Sequence, residues 1–296
     1  MCKSFVLLNK NNLYFFEFES SFKNANLVNG KSSSSISIFD RGFLYGDSIF
    51  ETILVINNKP NNLELHLKRL KKGCDTLKIK NLDYNLLQKY IKKSLSNINN
   101  CILNITITRG TVKKRGYNIA LANLKPNIIL TTSTIPRYPR DYQEKGVKTK
   151  FSNTMLNCNQ KLSKIKHSNR LDHIMATDEI TKKFPELILC DQKNNIIEVI
   201  SSNIFFIKKD TLYTPVINDS GVEGVMKCYI LKLLKKNKYK VKHKKIKKSD
   251  IKCYDGAFFC NSVRLIWNIK SINDHKYSNS ESIKEIIRLL KNDIYK

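Results

Sequence analysis

Three observations predict an α/β protein of two domains. The chain has 296 residues, and at roughly 150 residues per domain this length suggests two domains or one large one. Strand-like apolar alternation is intermixed along the chain with apolar residues at helical spacing. A polar stretch with two prolines, residues 134–141, interrupts both patterns near the middle. We therefore expect an N-terminal domain over 1–133, a linker over 134–145 and a C-terminal domain over 146–296.

The predicted elements follow from these two periodicities. Alternating and β-branched runs predict strands at 49–56, 102–108, 127–132, 186–190, 204–208 and 257–260. Apolar residues recurring every three or four positions predict helices at 63–77, 84–95, 170–182, 226–235 and 282–290. Because the two kinds of element are mixed along the chain, an all-helical or all-strand fold is excluded.

The charge of the chain favours anionic partners. Its 53 Lys and Arg exceed its 25 Asp and Glu, which gives a net charge of +28. Such a balance suits nucleic acid, acidic lipid, or phosphorylated and carboxylated small molecules. Lysines cluster in residues 231–250, but no nucleic-acid module accompanies them. We therefore favour lysines that fill solvated positions over a binding patch, and we do not expect binding to nucleic acid or membranes.

Compartment and redox state can also be predicted. No apolar run reaches the roughly 20 residues that cross a bilayer, and the first ten residues have too short an apolar core for a secretory signal. The eight cysteines form no Cys-x-x-Cys pair, so we expect reduced thiols and no metal site. A cytoplasmic location is expected, with an organelle as the alternative.

Four polar islands could carry chemistry, at residues 39–52, 108–117, 164–172 and 196–226. The sequence has no phosphate-binding loop, dinucleotide fingerprint, zinc-protease motif or serine-hydrolase motif. Arg109 and Arg115 follow a predicted strand, where a guanidinium can bind a carboxylate with two hydrogen bonds. Residues 220–226 place small residues at the start of a predicted helix, which favours an anion site.

Together, the islands resemble the fold-type IV pyridoxal-phosphate enzymes. This group includes branched-chain aminotransferases, D-amino acid aminotransferases and aminodeoxychorismate lyases. The resemblance rests on Asp40-Arg41-Gly42, Tyr45-Gly46-Asp47, Phe50-Glu51-Thr52, Leu65-His66-Leu67-Lys68-Arg69-Leu70, and Glu198 with Asn203. It implies a small N-terminal α/β sandwich and a C-terminal pseudo-barrel, as in D-amino acid aminotransferase, with the cofactor in the cleft between them. It also implies a homodimer with sites near the subunit interface.

The resemblance implies a pyridoxal 5'-phosphate site. Lys166 matches the lysine that bonds covalently to the cofactor and acts as catalytic acid and base. Arg69 matches the arginine that binds the cofactor phosphate, and Glu198 matches the carboxylate that faces the pyridine nitrogen. The other implied cofactor-binding residues are Asn203, Val225 and Met226.

The lyase branch fits the sequence best. Lys166-His167-Ser168-Asn169-Arg170-Leu171 and Gly221-Val222-Glu223-Gly224-Val225-Met226 resemble runs typical of aminodeoxychorismate lyases, which release pyruvate and form the folate precursor 4-aminobenzoate. The resemblance gives Thr52 a catalytic role as proton donor, with water as the alternative donor. It implies a dicarboxylate substrate bound by Tyr45, Thr52, Arg109, Arg115 and Asn261.

Two other functions compete with the lyase. An aminotransferase for D-amino or branched-chain amino acids would use the same cofactor, and weak transamination could accompany lyase activity. A nucleic-acid or membrane-binding protein built on a lapsed enzyme fold is suggested by the charge alone. Intact Lys166, Glu198 and Arg69 argue against the second competitor.

Overall fold

Two β-sheets organise the computed structural model, which describes residues 26–119, 124–277 and 281–294. The first sheet is antiparallel, with strand order β2-β1-β6-β5-β3-β4. Its strands are β1 (Leu27–Val28), β2 (Lys31–Ser32), β3 (Ser48–Ile56), β4 (Lys59–Pro60), β5 (Cys101–Thr108) and β6 (Asn127–Ser133). The β3–β4 hairpin turns at Asn57 and Asn58, both with positive φ, as expected for a two-residue hairpin loop.

Two long helices cover this sheet. The helices of this half are α1 (Arg41–Tyr45), α2 (Leu63–Leu77) and α3 (Tyr84–Leu95). Ile49 and Ile53 of β3 pack with Leu70 of α2 and Leu87 of α3, all without solvent exposure. The apolar stripes that predicted α2 and α3 therefore face the sheet, and both predicted ranges are confirmed.

The second sheet is mixed and curled. Its order is β12-β11-β10-β13-β14-β7-β8-β9, and β15 pairs with β14. Its strands are β7 (Val147–Leu156), β8 (Leu187–Asp191), β9 (Ile196–Val199), β10 (Asn203–Lys208), β11 (Thr211–Pro215), β12 (Lys240–Lys244), β13 (Gly256–Asn261), β14 (Leu265–Ile272) and β15 (His275–Lys276). The terminal strand β9 also contacts β10 and β11, so the sheet curls back toward itself.

In its described residues, the second half has an aromatic core, four α-helices and one 3₁₀ helix over Lys248–Cys253. Phe206 and Phe259 pack with Trp267 inside the curled sheet. Phe205 and Phe258 stack on the side that faces α6, with ring centroids 5.0 Å apart. The helices are α4 (Arg140–Glu144), α5 (Leu171–Thr177), α6 (Val225–Lys236) and α7 (Glu281–Ile294). Intermixed strands and helices confirm the predicted α/β class.

The helix predicted over 170–182 is wrong in its length, because α5 ends at Thr177. Just beyond it, the Glu179 carboxylate accepts hydrogen bonds from the Ser152 hydroxyl at 2.5 Å and the Asn153 amide at 2.9 Å. This attachment to β7 holds the chain away from the helical path, a tertiary contact that periodicity does not encode.

The lysine-rich segment 231–250 is divided between folded elements. It forms the end of α6 and then β12, which lies at the edge of the second sheet and pairs in parallel with β11. Lysines on an exposed edge strand discourage pairing with other chains. Among the described residues, no helix is long and apolar enough to span a membrane.

The chain passes from the first sheet to the second where the sequence predicted a domain linker. The last strand of the first sheet ends at Ser133, and the second sheet begins at Val147, with α4 between them. The exact division into 1–133, 134–145 and 146–296 stays a prediction, and its first 25 residues lie outside the described ranges.

Candidate active site

A cavity of about 660 Å³ lies between the two sheets. It brings together elements that are far apart in sequence: β3, α2, the segment before α5, the β9–β10 loop and the start of α6. The predicted site residues that line it are Thr52, Arg69, Lys166, Glu198, Asn203, Val225, Met226 and Asn261. Most of the predicted site residues therefore line one cavity.

The backbone around Lys166 is clamped on both sides. The carbonyl oxygen of Lys166 accepts a hydrogen bond from the Phe50 amide of β3 at 2.9 Å. Arg170 donates from Nε to the His167 carbonyl at 3.0 Å and from Nη2 to the Ile165 carbonyl at 2.8 Å. Because the carbonyls before and after Lys166 are both held, its side chain has a fixed origin at the cavity wall.

The Lys166 amine is poised to react. Its Nζ lies 4.2 Å from the centroid of the Phe50 ring. Burial and then the charge of Arg69 lower the pKa of Lys166 to about 7. A lysine with this pKa is partly unprotonated at neutral pH, so it can act as a nucleophile and as a base.

Arg69 is fixed by a buried carboxylate. It donates to Glu51 from Nε to Oε1 at 2.8 Å and from Nη2 to Oε2 at 2.5 Å. His66 Nδ1 lies 2.6 Å from Glu51 Oε2. Burial alone would raise the pKa of Glu51, but Arg69 and His66 outweigh it and lower that pKa to about 2. The carboxylate is therefore ionised and keeps the arginine in place.

The start of α6 forms an anion site beside Arg69. Val225 and Met226 follow Gly224, the N-cap residue. The first amides of a helix have no partner within the helix, and its dipole favours negative charge there. Arg69 Nη1 donates to the carbonyl of Glu223 at 3.2 Å, which joins the guanidinium to this helix start. A phosphate group suits this combination.

Asn203 shapes the same wall. Its Nδ2 donates to the Val222 carbonyl at 2.8 Å. A Cβ atom at Gly224 would lie 1.9 Å from Asn203 Oδ1, so only glycine allows this approach. Asn203 thus ties β10 to the helix start instead of pointing a free amide into the cavity.

Glu198 presents a buried carboxylate to the opposite side of the cavity. Its Oε1 lies 2.9 Å from His173 Nε2, and its Oε2 accepts a hydrogen bond from the Val222 amide at 2.9 Å. Its burial on β9 and these two fixed partners hold it in one orientation.

Asn261 organises a turn at the cavity rim. Its Oδ1 accepts from the amides of Val263 at 3.0 Å and Arg264 at 2.7 Å. Its Nδ2 donates to the Ser201 carbonyl at 3.1 Å. Thr52 faces the cavity from β3, where it is half-buried.

Three predicted substrate residues, Tyr45, Arg109 and Arg115, lie outside this cavity, so the structure does not bring them together with the other predicted site residues. Arg109 binds Asp47 through two hydrogen bonds of 2.6 and 2.9 Å and also donates to the carbonyls of residues 77 and 78. The Tyr45 hydroxyl accepts from the Gly116 amide at 2.9 Å. This hydrogen bond from Gly116 and, to a smaller extent, Arg115 lower the pKa of the Tyr45 hydroxyl.

The structure adds three residues that were not predicted for the site: Arg170, His173 and Arg264. Arg170 is the N-cap residue of α5 and His173 lies in its first turn, so their closeness to Lys166 in sequence was the available signal. Arg264 contacts Glu186 through Nη1, donates from Nε to the Tyr138 hydroxyl at 3.3 Å and lies 4.8 Å from the Trp267 ring. Its partners come from separate strands and loops, and sequence alone gave no signal for it.

These residues fit pyridoxal phosphate. A clamped lysine amine lies between an anion site and a buried carboxylate, which match the cofactor's aldehyde, phosphate and pyridine nitrogen in turn. Gly224 lets the Asn203 side chain approach this helix start closely, which fixes the wall of the anion site. Within the described ranges, no cluster of His, Cys, Asp and Glu could hold a metal ion.

The two-sheet fold and its cavity define a fold-type IV enzyme, a class whose members use pyridoxal phosphate. The chain belongs to the class IV aminotransferase family, whose model matches residues 48–272. The predicted family and fold type are thereby confirmed.

The chain is similar both to aminodeoxychorismate lyases and to an aminotransferase. The chain is 27% identical over 247 residues to aminodeoxychorismate lyase of Vibrio harveyi, covering 83% of this chain and 90% of that one. It is 28% identical over 222 residues to D-alanine aminotransferase of Staphylococcus aureus, covering 73% and 75%. The crystal structure of 4-amino-4-deoxychorismate lyase from Pseudomonas aeruginosa superposes with a TM-score of 0.87 at 29% identity, covering 91% and 99%.

Proposed function

We propose that this chain is a pyridoxal-phosphate-dependent aminodeoxychorismate lyase, which eliminates pyruvate and releases 4-aminobenzoate. One observation carries the proposal: Lys166, Arg69 and Glu198 line a single cavity in a chain similar to two lyases over 90% and 99% of their lengths. When bound, the cofactor withdraws electrons from the carbon that bears the substrate amine.

The residues of the chain bind the cofactor and transfer protons. Arg69 and the amides of Val225 and Met226 bind the phosphate, and Glu198 pairs with the pyridine nitrogen. The Lys166 amine, with a pKa near 7, removes the proton from the amine-bearing carbon. The Thr52 hydroxyl donates a proton to the departing enolpyruvate.

Substrate carboxylates need cations at the cavity. Arg69 is bound to Glu51, and Arg170 is bound to backbone carbonyls. Arg264 lines the same cavity and uses Nε and Nη1 for its internal contacts, which leaves Nη2 for a carboxylate. We propose that Arg264 and the turn held by Asn261 bind one carboxylate of the substrate.

We propose that the enzyme acts in the cytoplasm as a homodimer. The short helix α5, which directly follows the Lys166 segment, exposes Leu171, Ile174 and Met175. Exposed apolar side chains grouped on one helix face are typical of an interface. Tyr45 and Arg115 lie outside the cavity of their own subunit, so they can bind substrate only from a neighbouring subunit.

The decisive experiment supplies aminodeoxychorismate to purified holoenzyme and measures pyruvate and 4-aminobenzoate together. Equal amounts of both products are expected, and Lys166→Ala should abolish their formation and the covalent attachment of the cofactor. D-alanine with 2-oxoglutarate tests the alternative, which the similarity to D-alanine aminotransferase favours. Transamination without 4-aminobenzoate would refute the lyase and retain the family.

A further inference from the structure

His173 connects the buried carboxylate of the site to a second cavity. Its Nε2 lies 2.9 Å from Glu198 Oε1. Its side chain lines the main cavity and also a second one of about 310 Å³ behind the Lys166 segment. His173 therefore joins Glu198 to a space that is separate from the main cavity.

The hydrogen bond fixes the state of the imidazole ring. An ionised carboxylate can only accept, so the proton shared with Glu198 must be carried by His173 Nε2. In the neutral ring Nδ1 is then an acceptor. This Nδ1 is buried and has no hydrogen-bond partner among the described residues. A buried polar atom in this state needs a donor that protein groups do not supply.

The second cavity can supply that donor. Two further buried polar atoms without partners in the described part of the chain, His167 Nδ1 and Ser220 Oγ, belong to residues that line the same cavity. A volume of about 310 Å³ exceeds the roughly 30 Å³ that one water occupies in the liquid. Ordered water there would satisfy all three atoms at once.

We propose that His173 is the positioning residue for Glu198: Nε2–H donates to the carboxylate and keeps it oriented toward the cavity, while Nδ1 is held by water in the second cavity. The inference rests on the proposed cofactor site, because the aligned carboxylate faces the pyridine nitrogen. It does not depend on whether the enzyme is a lyase or an aminotransferase.

No charged side chain near His173 bonds to its Nδ1 in the described part of the chain. Arg170, Lys166 and Glu198 line the main cavity together with His173. Asp172 and Asp219 line the second cavity, but Asp172 already accepts from Asn157, and Asp219 accepts from a glutamine amide. Both carboxylates thus act as acceptors, and neither supplies the donor that His173 Nδ1 needs.

Two variants distinguish the effect of the hydrogen bond that His173 donates from the effect of its imidazole ring. His173→Gln retains an N–H donor that can reach Glu198, whereas His173→Leu removes the donor. A hydrogen bond to a charged group stabilises more than one between neutral groups. We therefore expect pyridoxal phosphate to bind at least about tenfold more weakly to His173→Leu, and less than about threefold more weakly to His173→Gln. Affinity is measured by spectrophotometric titration of the apoprotein with pyridoxal phosphate from pH 6 to 9.

A double-mutant cycle with Glu198→Gln tests the partnership. In that background His173→Leu should change cofactor affinity by less than twofold. In addition, ¹⁵N spectra of the apoprotein, which has five histidines, should show the Nε2–H tautomer for the signal that His173→Gln removes. His275→Gln on the β14–β15 hairpin serves as the matched control.

The outcomes are distinguishable. Failure of the wild-type protein to bind pyridoxal phosphate would refute the cofactor site itself. Binding by wild type together with equal affinity in His173→Leu would overturn only the role of His173. An equal loss in the Glu198→Gln background would also overturn it, because His173 would then act on the fold and not on the carboxylate.

Discussion

Arg69 and Glu51 form a two-bond ion pair beside the start of α6. Nε and Nη2 of the arginine lie 2.8 and 2.5 Å from the two carboxylate oxygens. The pair joins α2 to β3 and aims the arginine at the start of α6, where Nη1 reaches the Glu223 carbonyl at 3.2 Å. The anion site therefore depends on a carboxylate that does not contact the anion.

Glu51→Gln should destabilise the protein at pH 7 by about 3 kcal/mol, because it leaves Arg69 without its partner. The pKa of Glu51 is about 2 in the folded protein, below the roughly 4.3 of an unfolded glutamate. Its stabilisation is therefore complete above about pH 4.3 and is lost as the pH falls toward 2. Urea unfolding of both proteins between pH 7 and 3 checks this.

Glu64→Gln, an exposed carboxylate on the same helix, is the matched control and should change the free energy of unfolding by less than about 0.5 kcal/mol. The difference between wild type and Glu51→Gln must shrink at low pH. A difference that is as large at pH 3 as at pH 7 would show that the ionised pair is not its source.

Lys166→Met should stabilise the apoprotein at neutral pH. The pKa of Lys166 falls to about 7, against about 10.4 in an unfolded chain, so the unfolded state binds more protons between these values. The penalty for the buried amine is thus complete below pH 7 and disappears as the pH approaches 10. We expect a gain of about 2 kcal/mol at pH 6.5 that fades by pH 9.5, measured by urea unfolding.

The exposed Lys161→Met in the same segment is the control for Lys166→Met. It should show no trend with pH. A gain in Lys166→Met that is the same at pH 6.5 and 9.5 would attribute the effect to apolar packing and would contradict the lowered pKa.

Sequence reasoning found the residues that sit in ordered motifs and missed those defined by contacts across the fold. Lys166, Arg69 and Glu198 each stand in a recognisable run next to a strand or helix, and all three line the cavity. The role of His173 depends on its contact with Glu198, which joins α5 to β9 and which spacing along the sequence does not predict. Arg109 stands in a motif too, but its bonds to Asp47 could not be read from spacing.

Arg109→Lys should lower stability by about 3 kcal/mol, because a lysine cannot keep the paired hydrogen bonds to Asp47 and the two helix carbonyls. Arg115→Lys, on the exposed loop near Tyr45, should change stability by less than about 0.5 kcal/mol. Thermal unfolding of the two variants measures this contrast. Equal losses would contradict the structural role assigned to Arg109.

Arg115→Gln tests whether the exposed loop that carries Arg115 also binds substrate. If the partner subunit uses Arg115 to bind a carboxylate, KM for aminodeoxychorismate should rise about tenfold or more at unchanged stability, since charge-assisted hydrogen bonds to carboxylates are strong. Ile174→Glu on α5 should convert the dimer to monomer in sedimentation and raise KM similarly. Unchanged KM in a protein that sediments as a monomer would refute a contribution from the partner.

Gly224→Ala should weaken pyridoxal-phosphate binding by about tenfold or more, because the new Cβ would meet Asn203 Oδ1 at 1.9 Å and the helix start would have to move. Asn203 would also lose its 2.8 Å bond to the Val222 carbonyl. Titration of the apoprotein with pyridoxal phosphate measures the loss.

The control is the double variant with Asn203→Gly, because the clash involves only the Asn203 side chain. In the Asn203→Gly background, Gly224→Ala should weaken cofactor binding much less than it does in the wild-type background. Full affinity in Gly224→Ala alone would mean that the helix start tolerates the displacement and does not set the position of the phosphate.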